Sequence, residues 1–277
     1  TDETVMVVEG RFRARFVAGY DRGALPEQVS APFVVDVTPP ASDIELRPIP
    51  FSPDNDGVDD ELTIRFNLQE SSEIAYWLFE IRDRNDRFFQ EFGGQGAPAE
   101  EIVWDGRSAG GEYVISAEEY PFTFEIADVY GNTTVEEGVI PVDILVVRDG
   151  DQLKVQISNI NFAPNSPELI LDPDTRIGTK NREVLSRLAE IFQKYDSYRI
   201  QISGHAVNIS GTRLEEEEEL QPLSRSRAEA VRDALMERGI SGGRLTAVGE
   251  GGMAPLVPHT DVENRWKNRR VEFILIR

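Results

Sequence analysis

Leu223-Ser224-Arg225-Ser226-Arg227-Ala228-Glu229-Ala230-Val231 is the stretch that decides the fold of the C-terminal half. Pro222 precedes it as a first-turn residue and Gly239 follows as a stop, so the spacing predicts a helix over 222–238. Ala228, Val231, Ala234 and Leu235 form its apolar stripe. Upstream, Val184, Leu185, Leu188, Ile191, Phe192 and Tyr195 recur at helical spacing and predict a helix near 179–195. Strands are expected at Leu153 to Phe162, which leads into a Pro/Asn-rich loop, and at Tyr198 to Ser203, Arg244 to Val248 and Val271 to Ile276. The order is β-α-β-α-β-β, an α/β domain in which two helices cover one face of a mixed sheet.

Residues 1–150 follow a different pattern. Val5 to Val8, Phe12 to Val17, Leu62 to Leu68, Ile74 to Ile81 and Phe122 to Ile126 are rich in β-branched and aromatic residues and are bounded by turn clusters. Phe122-Thr123-Phe124-Glu125-Ile126 alternates with the period of a sheet that has one wet face. An all-β sandwich is the class implied. Arg11 to Phe16 closing on Pro32 to Val37 is weakly repeated by Phe122 to Ile126 closing on Ile140 to Ile144. Residues 1–40 are therefore either the tail of a truncated repeat, with Thr38-Pro39-Pro40 as a stiff joint, or extra strands of the next domain. The expected organisation is a partial β module at 1–40, a sandwich at 41–150 and the α/β domain at 151–277.

The composition narrows the function classes. A chain of 277 residues suggests about two domains. Its 29 Lys and Arg against 50 Asp and Glu give a net charge of −21, which argues against nucleic acid and against electrostatic docking on anionic lipid. With no Cys there are no disulfides, thiolate chemistry or Cys-ligated metals. No stretch reaches the apolar length of a transmembrane helix. Thr1-Asp2-Glu3-Thr4 is neither a signal peptide nor a start methionine, so the expectation is a mature or trimmed chain whose anchor lies elsewhere.

Pro50-Phe51-Ser52-Pro53-Asp54-Asn55-Asp56-Gly57-Val58-Asp59-Asp60, Trp104-Asp105-Gly106-Arg107, Gly111-Glu112-Tyr113, and Asp128 with Gly131-Asn132 carry a resemblance over roughly 45–147. They resemble the Ig-like module of the flagellar hook-capping protein and of many bacterial surface proteins, which implies a spacer or interaction module. The second half carries Asn161-Phe162, Gly204-His205, Leu223 to Val231, Arg238-Gly239-Ile240, Val248-Gly249-Glu250-Gly251 and Asn268-Arg269-Arg270-Val271-Glu272. In that order they resemble the OmpA-like domain, the periplasmic peptidoglycan-binding module of outer-membrane proteins, lipoproteins and flagellar-motor stators.

The resemblance implies a ligand, the diamino-acid residue of the peptidoglycan stem peptide. Its carboxylate meets the Arg of Leu-Ser-x-x-Arg-Ala, here Arg227, through a bidentate fork. Ser224 of the same motif and Arg269, beside Arg227 in that fold, are further candidate contacts. An Asp after Gly-His-Thr would meet the ammonium. This chain reads Gly204-His205-Ala206-Val207-Asn208-Ile209-Ser210-Gly211 instead, so Val207 or Asn208 stands there according to the direction of counting. Leu220 replaces an Asn of the pattern, and Glu215 to Glu219 are an insertion. The run is either a solvated face or the source of one carboxylate that replaces the Asp. The resemblance implies a non-catalytic, periplasmic, outer-membrane-associated protein. It either binds peptidoglycan atypically or has lost that binding and contacts other envelope proteins.

Other candidates belong to the residues alone. Asp54, Asp56, Asp59 and Asp60 alternate around a Gly turn, as calcium ligands do, and ordinary Asx turns use the same residues. Trp104 reads as a core anchor. His205 and His259 are the two histidines, too few for a zinc site and read as structural. Arg265, Lys267, Arg269 and Arg270 are the basic cluster, either clamping an anion or pairing with the acidic insertion. Gly249-Glu250-Gly251-Gly252 lies between β-elements and is no phosphate loop. No nucleophile–base pair or paired acid/base carboxylates show recognisable spacing.

Overall fold

The computed structural model describes residues 8–19, 26–150, 152–158 and 160–277. They fall into two compact units. One comprises Thr1–Leu46, Thr63–Ile102 and Pro121–Val139; the other comprises Arg47–Leu62, Val103–Tyr120 and Ile140–Arg277. The strand expected at Val5 to Val8 lies, for Val5, Met6 and Val7, outside the described residues.

The first unit is built from β-pairs. β1 (Gly10–Phe12) pairs antiparallel with β4 (Phe33–Val35), and β2 (Arg15–Val17) with β3 (Glu27–Val29). A three-stranded sheet follows in the order β5 (Ala41–Arg47), β6 (Leu62–Gln69), β9 (Glu101–Trp104). A four-stranded sheet has β11 (Thr133–Pro141), β10 (Glu119–Asp128), β7 (Ile74–Arg82) and β8 (Phe88–Gln95) in that order. The alternation in β10 does what its period requires: Phe122, Phe124 and Ile126 are buried, and the residues between them are not. Phe66 of β6 lies 5.0 Å from the Phe124 ring and 6.1 Å from that of Phe79, and Phe79 stacks on Phe122 at 4.7 Å. Such pairs add about 0.5–1.5 kcal/mol each beyond the area they bury.

The second unit contains the α/β domain. Its five-stranded sheet runs β12 (Val147–Asp149), β13 (Gln152–Ile157), β16 (Val271–Ile276), β14 (Arg199–His205), β15 (Leu245–Gly251). Only β14 and β15 are parallel. The long helices are α1 (Arg176–Lys194) and α3 (Gln221–Glu237), and a single turn, α2 (Arg213–Glu215), precedes α3. The expected β-α-β-α-β-β order is present, with β12 added as an edge hairpin strand. Two boundaries differ from expectation for local reasons. α1 begins at Arg176 because the Thr175 hydroxyl accepts the Gly178 N–H at 3.0 Å and caps it. β13 stops at Ile157, and Asn161 further on exchanges hydrogen bonds with the Asn181 side chain of α1 instead of with a strand.

α3 ends as its sequence implied. Gly239 takes φ 91°, and the Gly239 and Ile240 N–H groups return to the carbonyls of Met236 and Leu235. The stripes of α1 and α3 bury Leu185, Leu188 and Phe192, and Ala228, Val231 and Leu235, against Ile202, Phe273 and Leu275 of the sheet. Ile144, before β12, belongs to the same core, and Asp143 beside it pairs with Arg187 of α1 at 2.5 Å. Trp104 is 2% exposed, 5.4 Å from the Phe51 ring, and donates its indole N–H to Arg107 O, which is the use of an anchor.

Candidate functional site

Two glycines let α3 approach the sheet. A Cβ on Gly204, in β14, would lie 2.2 Å from Ser224 O; one on Gly249, in β15, would lie 2.5 Å from Gln221 O. Only hydrogen fits at such distances. Ser224 sits in this contact and is 1% exposed. Its hydroxyl donates to Gln221 O and accepts the Gly251 N–H, both at 3.0 Å. Of the four wall-contact candidates, Ser224 is thus turned inward as a lock between helix and sheet.

Arg227 follows one turn along α3 and is only partly buried. Its Nε donates to Ser166 O at 3.1 Å, and its guanidinium carbon lies 5.0 Å from the Phe162 ring centroid. Burial, and then the neighbouring Arg269 guanidinium, pull the Arg227 pKa below the ordinary arginine value. Among the described residues neither Arg227 nor the exposed Arg269 has a carboxylate within ion-pair distance. Two neighbouring cations are thus left without a carboxylate partner among the described residues.

Buried amides place both arginines. Asn181 of α1, fully buried, donates to Asn161 O and Ile170 O and accepts the Asn161 N–H, which pins the segment carrying Phe162 and Ser166 beneath Arg227. Asn268, equally buried, accepts the N–H groups of Leu256 and Val257 and donates to Val257 O. That folds the 252–268 loop back and sets Arg269 at its end. Asn181 was not singled out in the sequence, although an Asn at position i−4 from Leu185 on an apolar face is the available signal.

Arg270 is not part of a shared basic clamp. It is buried, and its Nε donates to Glu272 at 2.7 Å. Burial alone would raise the Glu272 carboxyl, but His205 and Arg270 beside it hold it at about 2. His205 is also buried, 3.6 Å from Glu272. His259 makes a 2.9 Å bond to Gly252 O through Nε2.

The loop at 207–216 makes its own network. Val207 is partly buried. Asn208 uses its carbonyl to accept the Gly211 N–H at 2.7 Å and its amide to reach Glu216 at 3.2 Å and Thr212 O at 3.3 Å. Glu216 opens a five-residue π-helical turn, Glu216–Leu220, that runs into α3. It is 6% exposed, and both its oxygens accept the Gly252 N–H at 2.9 and 3.0 Å. Glu217, Glu218 and Glu219 stay exposed. One carboxylate of the run therefore does turn in, and it meets backbone and Asn208 there.

Asp54, Asp56 and Asp60 bring carboxylate oxygens within 4.8 Å of one another and are the described residues grouped so that they could hold a divalent cation. Asp59 is not with them; at φ 59° it turns the chain, and its carbonyl accepts the Ser52 N–H. Asp60 accepts the N–H groups of Asn55 and Gly57, and Asp56 that of Val58. Burial raises the Asp54 carboxyl, the Val146 N–H opposes this, and Asp56 and Asp60 raise it further.

A mixed sheet with a close-packed helix that presents two unneutralised arginines defines a domain suited to receive an anionic group. Residues 161–269 match the OmpA family, and the chain carries an OmpA family domain there. It is 30% identical over 118 residues to the peptidoglycan-binding protein ArfA of Mycobacterium tuberculosis, covering 43% of this chain and 35% of that protein. It is 34% identical over 108 residues to the peptidoglycan-associated lipoprotein of Rhizobium meliloti, covering 39% of this chain and 58% of that one. The cell wall anchor of the T6SS from Pseudomonas aeruginosa has a solved structure that aligns over 48% of this chain and 87% of its own, with TM-score 0.39 and 26% identity. The chain spans about a third of the length of the ArfA proteins it matches. No described helix is long and apolar enough to cross a membrane.

Proposed function

We propose that this protein is a non-catalytic component of the bacterial envelope whose OmpA family domain holds peptidoglycan noncovalently, with Arg227 and Arg269 receiving a carboxylate of the stem peptide. One observation carries the reading: half-buried Arg227 and exposed Arg269 lie near enough to repel, without an acidic partner among the described residues, and burial, with Arg269 second, depresses the Arg227 pKa. An external carboxylate relieves that repulsion and makes charge-assisted bonds worth about 1.5–3 kcal/mol each. Relatives named as peptidoglycan-binding and peptidoglycan-associated support the choice of ligand. Val207 or Asn208 at the position of the family's Asp removes one charged contact, so binding is weaker than in a domain that keeps it, by roughly ten- to a hundredfold. In this reading residues 41–150 are an Ig-like sandwich serving as spacer, 1–40 a partial module of the same kind, and 151–277 the wall-binding domain, held in the periplasm near the outer membrane.

The test is co-sedimentation with purified sacculi. The parent pellets in a saturable, salt-sensitive manner. Arg269→Ala, an exposed change that leaves the core intact, and Arg227→Ala each reduce retention at least about tenfold. Equal retention of parent and both variants removes the arginines from any ligand role. A zymogram on peptidoglycan, expected blank, separates attachment from hydrolysis.

A further inference from the structure

The insertion before α3 does more than lengthen a helix. Ile209, Leu214 and Met253 are 67%, 65% and 72% exposed, the first two from one loop and the third from another, and each lies within two residues of a single hydrogen-bonded knot. The knot is the Glu216 carboxylate bound to the Gly252 N–H and to the Asn208 amide. Ile209 follows Asn208, Leu214 lies two residues before Glu216, and Met253 follows Gly252. The backbone that carries them is fixed. Thr212 caps the turn by accepting the Glu215 N–H at 3.2 Å, Ser210 donates its N–H and its hydroxyl to Glu215, and Asn208 accepts the Gly211 N–H. Three large apolar side chains are therefore presented to water from two segments, 208–215 and 252–253, tied together through Glu216.

The rim has one sign. From Arg213 to Glu219 there are five Glu and one Arg, a net charge of −4. Arg213 is spent on Glu217 at 2.6 Å, and Glu218 and Glu219 have no ion-pair partner among the described residues. Anionic lipid and nucleic acid are repelled by such a rim. Lys or Arg interspersed with apolar residues is matched by it in both respects, because cations meet the Glu side chains while apolar groups cover Ile209, Leu214 and Met253.

We infer that Ile209, Leu214, Met253 and the exposed Glu217–Glu219 form a second docking surface, built from residues other than Arg227 and Arg269, that receives a basic amphipathic segment of a partner protein. Preorganisation lowers the ordering cost of that contact. The surface uses neither Arg227 nor Arg269, and although Asn208 ties its loop, the experiment reads it apart from peptidoglycan binding.

The experiment uses the full chain and a fluorescein-labelled Lys/Leu amphipathic helical peptide, read by anisotropy at physiological salt. A Lys/Ser peptide of equal charge tests the apolar requirement. The parent binds the Lys/Leu peptide at least roughly tenfold more tightly than the Lys/Ser peptide. The triple variant Ile209→Ser/Leu214→Ser/Met253→Ser, and separately Glu217→Gln/Glu218→Gln/Glu219→Gln, lose about tenfold or more. The charge-matched control Glu91→Gln/Glu100→Gln/Glu137→Gln, exposed in the other unit, stays within about twofold. The inference is overturned if both peptides bind alike, if the apolar triple variant binds like the parent, or if the control weakens as much as the insertion variant. Sacculus retention of the two triple variants should equal that of the parent; its loss would merge this surface with the wall site and also overturn the inference.

Discussion

Glu216→Ala tests whether the acidic run at 215–219 is structural at one position and merely exposed at its neighbours. In the parent, the Glu216 carboxylate takes the Gly252 N–H on both oxygens and the Asn208 amide on one. Removing it orphans a buried N–H and weakens an amide that keeps only Thr212 O, at 3.3 Å, as an alternative acceptor. Losing a bond to a charged acceptor costs about 1.5–3 kcal/mol, and the orphaned donor sets the upper part of that range. Relief from burying a carboxylate without a counter-ion offsets some of it. A net loss of about 2–3 kcal/mol follows, or roughly 5–10 °C in the melting temperature of a unit this size. Glu218→Ala, one exposed residue in the same run, changes stability by less than about 0.5 kcal/mol. Glu216→Gln falls between them, because its new NH2 opposes one of the two donors that the carboxylate accepted. Calorimetric melts of the three variants, with amide exchange followed at Gly252, make the comparison. If Glu216→Ala and Glu218→Ala melt together and Gly252 exchanges no faster in the former, the knot does not hold the loop.

Glu272 makes stability pH-dependent. Its carboxyl ordinarily titrates at 4.5 and sits at about 2 in the fold, so its contribution is full above the ordinary value and is lost as pH falls through about 2. Glu272→Gln should therefore cost about 3 kcal/mol at pH 7, with parent and variant converging between pH 4.5 and 2; a gap that stays constant across that window in urea melts would contradict this. Gly204→Ala places a methyl 2.2 Å from Ser224 O, backbone against backbone, and is expected to destabilise by more than about 3 kcal/mol, so a near-parental melting temperature would mean that α3 does not pack this closely. Asp60→Asn weakens the acceptor of the Asn55 and Gly57 N–H groups and should cost about 1 kcal/mol, while millimolar calcium is expected to leave the parent's melting temperature unchanged. A calcium-induced rise that Asp56→Asn abolishes would instead assign the Asp54, Asp56 and Asp60 group to the ion.

The helix α3 was legible because several local signals agree. A Pro in its first turn, a stripe at 228, 231, 234 and 235, and a Gly past its end all specify one segment. β16 matches its expected bounds because Val271 to Ile276 is a short run dominated by β-branched and aromatic residues, while the alternation that buries Val271, Phe273 and Leu275 shows only in the fold. Arg227 was legible as a site residue through its motif, although its pairing with Phe162 and Ser166 was not, since that contact spans 61 residues and depends on a buried amide. Asn208 illustrates the opposite case. As a bare residue it offers an acceptor oxygen at one of the two positions, with Val207, at which the resemblance expects an acid, but the fold spends that oxygen on Gly211. Ser224 is similar, since its hydroxyl is consumed by Gln221 and Gly251. Hydrogen-bond competition of this kind is decided by tertiary approach and leaves no periodicity in the chain.

Five consecutive glutamates are indistinguishable to any pattern argument, and the fold distinguishes them by helical geometry. One more residue ahead of α3 would rotate its inward face if it were wound at 3.6 per turn. The π-helical turn Glu216–Leu220 takes up an extra residue instead, closing with the Gln221 N–H on Glu216 O, so Ser224, Ala228, Val231 and Leu235 keep their places against the sheet. The same wide turn points Glu216 inward and leaves the next three outward. Repulsion among those exposed carboxylates is lessened by their position, because the N-terminal end of a helix carries the positive end of its dipole. Moved to the last turn of α3 the same run would meet the negative end and be disfavoured. An acidic segment here thus costs the fold little and keeps the register that places Arg227 near Arg269, so the glutamate run at 215–219 and two arginines without a carboxylate partner among the described residues coexist in one domain.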